Sequence, residues 1–124
     1  MTNTQIDRRI PNYLRTHRRK VGLTQRDLAR VLGYENDQGT VSRHERFHST
    51  PPLEIAIGYE IVFRVPVSEI FAGLRDEIEE GIEGRLADLE EGLGQRSGRD
   101  RSAIAIAQTL MWLCERKNSQ YEIT

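Results

Sequence analysis

Apolar residues recur along the chain in short bursts, three or four positions apart, and a glycine, a proline or a capping residue interrupts each burst. That is the spacing of helices with one inward face. Tyr13, Leu14, His17 and Val21 follow Pro11 and stop at Gly22, which predicts a first helix over about 11 to 21. Thr24 reads as an N-cap, with Asp27 three residues on in a carboxylate version of the capping box, for a second helix from Gln25 to Leu32 that Gly33 closes. Its buried face is expected to be Leu28, Val31 and Leu32, with Ala29 small enough to let another helix approach. Tyr34-Glu35-Asn36-Asp37 is a turn, and Asp37 caps a third short helix that reaches Arg46 or Phe47. Val41 and His44 point inward from it, and Gln38, Thr40, Ser42 and Arg43 outward.

Ser49-Thr50-Pro51-Pro52 signals a further helix start before Leu53, Ile55, Ala56, Ile57, Tyr59, Ile61, Val62 and Phe63. This stretch is at least 11 residues long and opens on prolines, so a buried fourth helix is expected despite its β-branched residues. Pro66 ends it, and Ser68-Glu69-Ile70-Phe71 forms a short fifth helix. Five short helices joined by tight turns predict a compact all-α domain. The remainder differs. Leu74, Ile78, Ile82, Leu86, Leu89 and Leu93 lie along one stripe of a sixth helix, about 74 to 93, whose other faces are mostly acidic. Gly81, Gly84 and Gly92 each weaken an isolated helix by about 0.8 to 1 kcal/mol relative to Ala, so this helix depends on packing. Gly94 to Arg99 is a basic loop, Arg101 to about Lys117 a seventh helix carrying Ile104, Ile106, Ala107, Leu110, Met111, Leu113 and Cys114, and the last residues are expected to fray.

Charge changes this picture more than composition does. The chain of 124 residues has a net charge of -1, yet residues 1–50 hold ten Lys and Arg against five Asp and Glu, and residues 73–94 two against eight. A basic front can attract a polyanion that the acidic middle repels. With 37% hydrophobic, 30% charged and 6% aromatic residues, the chain reads as soluble, with a modest core. Its longest charge-free run, Ser102 to Cys114, is 13 residues, whereas a membrane span needs ~20 apolar ones. The first nine residues hold no apolar signal core, and a lone cysteine cannot form an internal disulfide, so the cytoplasm is the expected compartment.

The functional signal lies in Leu23-Thr24-Gln25, Leu28-Ala29, Leu32-Gly33 and Val41-Ser42-Arg43-His44-Glu45. In this pattern a small residue lets two helices meet, a glycine turns the chain and a valine pins the next helix to the core. Together with the expected helices over about 11 to 72, it resembles the Cro/phage-repressor (XRE) family of helix-turn-helix DNA-binding domains. The resemblance implies a five-helix lambda-repressor-like domain over residues 11–73; the rest of the chain is then an arm over 1–10 and the two-helix extension over 74–124. It implies a double-stranded DNA-binding transcription regulator, a repressor rather than an activator, acting as a homodimer on an inverted-repeat operator in a cytoplasm of bacterial or phage type. Gln25 resembles the family's phosphate-clamping glutamine. Gln38 and Gly39 sit where the family presents base-reading side chains, and Arg43, one turn on, is the first choice for guanine recognition. Thr40 and Ser42 are expected phosphate contacts or face fillers, Arg46 and His48 approach the backbone, and Arg18 and Arg19 add sequence-independent contacts. Glu45 resembles a nearly constant acid that braces the domain internally.

Three departures stand out. Six residues separate Gly33 from Thr40 where the common pattern has four, which leaves the start of the recognition helix open. Phe47 replaces a frequent glycine, so the loop after it is expected to be packed. Gly39 offers no side chain. Other chemistries are weaker: His44 and His48 lack companion metal ligands, so neither a metal nor a cofactor is expected. Ala72-Gly73 is similar to the cleavage dipeptide of self-cleaving repressors, but the 51 residues after it leave no room for their β-rich protease domain. Cys114 is expected to be a small buried residue and Trp112, Tyr59 and Phe63 to be core. No phosphate loop, catalytic triad or paired-carboxylate site stands out, so an enzyme is not expected. The rival is an antitoxin-like interaction module on the same scaffold, whose acidic tail docks a protein partner through residues 74–118. The outward Gln25, Gln38 and Arg43 favour DNA. The extension dimerises, docks a partner or folds back.

Overall fold

A computed structural model describes residues 11–35, 37–95 and 102–122. Among the described residues the fold is all-α, with α1 (Leu14–Lys20), α2 (Gln25–Val31), α3 (Gln38–Glu45), α4 (Leu53–Phe63), α5 (Val67–Ile70), α6 (Ala72–Gln95) and α7 (Ala103–Glu122). The chain divides into two compact units between Ile78 and Glu79. That is further along α6 than the break after Gly73 expected from the sequence, because Leu74 packs against the core of the first unit. The N-terminal arm, most of the basic loop and the final residues fall outside the described residues.

In the first unit, Leu14, Leu28, Ala29, Val41, Tyr59, Ile70 and Phe71 form the core. α1 begins at Leu14 rather than Pro11, and the reason is hydrogen bonding. The Asn12 side chain accepts from the Leu14 amide at 2.9 Å and donates to the His44 carbonyl at 2.9 Å, while the Tyr13 amide donates to the Ile70 carbonyl at 2.7 Å. These bonds tie the chain before α1 to the ends of α3 and α5. Glu60 on α4 accepts from the Val67 amide at 2.9 Å and so satisfies a donor at the start of α5.

Two burial expectations are corrected. Val31 is 62% exposed, because α2 turns Leu28 and Ala29 inward and carries Val31 past the edge of the core. α4 is not buried all round: Ala56 and Tyr59 face the core with Ile55, Val62 and Phe63 beside them, whereas Leu53, Ile57 and Ile61 lie exposed along the opposite side. Apolar residues on both faces had hidden its direction. Phe47 takes φ 56, the left-handed conformation that favours glycine, and packs its ring 6.3 Å from that of Phe71. The expected packed loop is present, with backbone strain set against aromatic burial.

In the second unit, Ser102 caps α7 through the Ala105 amide at 3.1 Å. Arg116 holds both carboxylate oxygens of Glu83, and Lys117 Nζ lies 2.8 Å from Glu90 Oε2, so ion pairs join α7 to α6. Arg116 keeps the Glu83 carboxyl below its ordinary pKa, chiefly by hydrogen bonding. Leu93 and Leu113 are buried. Trp112 is half exposed and Cys114 is exposed, against the expectation of core positions for both: α7 turns Leu113 inward and its neighbours outward.

Candidate nucleic-acid interface

The α2–turn–α3 segment is built from local signals. The Thr24 hydroxyl accepts from the Asp27 amide at 3.0 Å and Asp27 accepts from the Thr24 amide at 3.3 Å, a complete capping box that starts α2 at Gln25. The hydrogen bonds from Thr24, its backbone amide first, lower the Asp27 pKa. Gly33, at φ 94, ends the helix in the left-handed conformation, and the Tyr34 amide donates to the Ala29 carbonyl at 2.8 Å. Asp37 then accepts from the Thr40 hydroxyl at 2.5 Å and from the Thr40 amide at 3.3 Å, and these bonds, the hydroxyl's first, lower its pKa. α3 therefore starts at Gln38 despite the long turn.

Inside, α3 buries Val41, His44 and Glu45. His44 Nδ1 lies 2.8 Å from the Tyr59 hydroxyl, with the two rings edge to face. Burial, with a smaller contribution from the Arg43 charge, holds the His44 pKa below its ordinary value, and burial pushes that of Tyr59 up.

Outside, the sequence-nominated residues separate into two groups. Gln38 and Arg43 are exposed at the outer side of α3, with Gly39 and Thr40 half-buried between them. The Arg43 guanidinium donates to the Thr40 hydroxyl at 3.0 Å. Arg19, Gln25, Ser42 and Arg46 instead line an open groove of about 720 Å³, together with Arg15, Thr16 and His48. The groove gathers three guanidinium groups, two from α1 and one from the residue that ends α3, against the single carboxylate of Glu45, a balance of charge suited to phosphate. Arg15 was missed in the sequence, though its i,i+4 relation to Arg19 places both on one face of α1.

Arg18 is the one nominated residue that the structure removes from this surface. Its side chain is only 10% exposed, its Nε donates to Glu45 Oε2 at 2.5 Å, its Nη2 to Oε1 at 3.2 Å and its Nη1 to the Leu23 carbonyl at 2.9 Å. Each of its three nitrogens donates to an internal partner. The i,i+4 relation to Leu14, which is fully buried, was the signal for this in the sequence. Glu45 also accepts from Gln25 Nε2 at 3.0 Å, so it braces α1, α2 and α3 together.

Comparison with known proteins agrees with this geometry. Neither a curated protein nor a solved structure matches the chain. A family model described as helix-turn-helix, of the Cro/C1 type in the XRE family, matches residues 14–70, from α1 to the end of α5. Members of that family are DNA-binding transcription regulators, and residues 14–70 of this chain are one of its helix-turn-helix domains.

Proposed function

We propose that the protein is a sequence-specific regulator that represses transcription by occupying an inverted-repeat operator as a homodimer. The observation that carries this reading is the adjacency on α3 of an exposed edge, bearing Gln38 and Arg43, and a groove lined by Arg15, Arg19 and Arg46. In this reading α3 enters the major groove, Arg43 takes guanine O6 and N7, and Gln38 supplies a second base contact. The groove arginines, Ser42 and Gln25 grip the phosphate backbone and set the register. Gln25 does so with its carboxamide nitrogen already committed to Glu45, which leaves its oxygen and the first backbone amides of α2 for the solvent side. Thr40 is tied to Asp37 and Arg43 and is the least available of the nominated phosphate contacts.

A single domain of this size covers one half-site, so useful affinity calls for two copies. Support for a dimer through the second unit comes from Ile82, Leu89, Ile104, Met111 and Trp112, apolar side chains left exposed on α6 and α7 of the single chain. The test is selection of genomic fragments by the purified protein at about 0.15 M salt, with its mass from light scattering. Enrichment of a short inverted repeat by a dimeric species supports the proposal. Binding that vanishes with modest added salt and favours no sequence refutes it, and would turn attention to a protein partner of the acidic α6.

A further inference from the structure

We propose that Asp37, Thr40 and Gly39 form a positioning device that fixes Arg43 for guanine recognition; this rests on the reading of Arg43 as the base-contacting residue. The hydrogen bonds run in one direction. Arg43 Nη2 donates to Thr40 Oγ1 at 3.0 Å, and the same hydroxyl spends its single proton on Asp37 Oδ2 at 2.5 Å. The other Asp37 oxygen accepts the Thr40 amide at 3.3 Å, so the carboxylate that starts α3 also anchors the chain leading to the arginine. The opposite charges of Asp37 and Arg43 favour the same arrangement.

Gly39 supplies the space. A Cβ at this position would come within 3.3 Å of Arg43 Nη1 and 3.5 Å of Asp37 Oδ1, tighter than an ordinary contact on the guanidinium side. The guanidinium therefore lies back along α3, over a residue with no side chain. Position 39 thus offers no side chain of its own and leaves room for the Arg43 guanidinium. Of the five N–H donors of the guanidinium one faces Thr40, which leaves others for a base edge. Arginine is otherwise among the most flexible side chains, so holding it before binding reduces what is lost on binding and sharpens the choice of base.

The experiment uses the full chain and a duplex selected from random sequence, and measures affinity for each single base-pair change with wild type, Arg43→Ala, Thr40→Val, Thr40→Ser and the double variant Thr40→Val/Arg43→Ala. Arg43→Ala is expected to lose guanine preference at one base pair by about 5- to 150-fold. Thr40→Val keeps the shape and the amide bond to Asp37, and is expected to lose roughly three- to tenfold at that same base pair only, an intermediate share of a bidentate contact. Thr40→Ser restores the preference, and the double variant equals Arg43→Ala. If Arg43→Ala loses the preference while Thr40→Val loses affinity equally on all sequences, or loses nothing, the positioning device is refuted and the base-reading role stands. If Arg43→Ala keeps every preference, the base-reading role itself fails, and the device with it.

Discussion

The Arg18–Glu45 pair gives the sharpest test of how the recognition helix is held. Both side chains are withdrawn from water, at 10% and 2% exposure, and they share two hydrogen bonds, while the Leu23 carbonyl accepts a third from Arg18 and Gln25 donates a third to Glu45. Removing one partner from such a pair strands a buried charge. Glu45→Ala leaves the Arg18 guanidinium with only the Leu23 carbonyl, and a loss of about 3–5 kcal/mol is expected. That is a large part of the roughly 5–15 kcal/mol that holds an ordinary domain together. Replacing both partners, as Arg18→Met/Glu45→Leu, removes the charges with the space still filled, and is expected to be neutral or stabilising by about 1–4 kcal/mol. Urea unfolding followed by far-ultraviolet circular dichroism measures both values, with the denaturant slope checked for constancy. A single-variant loss below about 1 kcal/mol, the range of solvent-exposed pairs, would refute the argument that this pair is a buried brace.

Further outcomes are expected elsewhere in the chain. His44 has a folded pKa below its ordinary 6.5, so the unfolded chain takes up the proton first: stability is complete above about pH 6.5, falls as the pH drops below it, and levels off beneath the lowered folded pKa. The slope cannot exceed ~1.4 kcal/mol per pH unit, and His44→Gln should abolish it, since Asp27 and Asp37, ordinarily near 3.8 and lowered further, lose their contributions only at more acid pH. Gly39→Ala should move two measurements in opposite directions: thermal stability rises by an amount worth about 0.5–1 kcal/mol, while guanine preference falls as the new Cβ presses on Arg43. Leu89→Lys with Met111→Glu should reduce the light-scattering mass from dimer to monomer with circular dichroism unchanged, since both side chains are exposed in the single chain. A dimer that survives these changes would remove this surface from the interface.

The elements were legible wherever a local signal and the apolar spacing agreed. Thr24 with Asp27 marked α2, Asp37 marked α3 and Pro66 separated α4 from α5, because a cap or a proline acts within a few residues of itself. What the sequence concealed depended on partners distant along the chain. Arg18 reads as one of a basic cluster until Glu45, 27 residues away, is brought beside it. Val31 and the Leu53, Ile57 and Ile61 row read as core because apolar residues there mark two faces, and only the position of the neighbouring helix decides which is covered. Arg15 escaped notice because it lines a groove that three helices make together.

The same long-range contacts bear on the proposed docking of α3 on DNA. A helix of eight residues has little stability alone, yet this one is fixed at its start by Asp37, along its inner face by Val41 and the His44–Tyr59 pair, and at its end by Glu45 and the Asn12 bond to the His44 carbonyl. The partners of His44 and Glu45 come from α1, α2, α4 and the segment before α1, so the helix has few ways to rotate or slide without breaking a buried polar contact. Its outward residues then inherit that order. Arg43 is held directly by Thr40, and Arg46 follows from the helix end that Glu45 and Arg18 secure. On the proposed reading, loosening the interior should weaken selection between base pairs before it weakens attraction to phosphate, because groove arginines that act through charge at longer range tolerate small displacements, whereas a bidentate contact to guanine does not. Comparison of operator and random-sequence affinities for Tyr59→Phe, which removes the hydroxyl partner of His44, measures this: selective loss on the operator is expected, and an equal loss on both would refute the coupling.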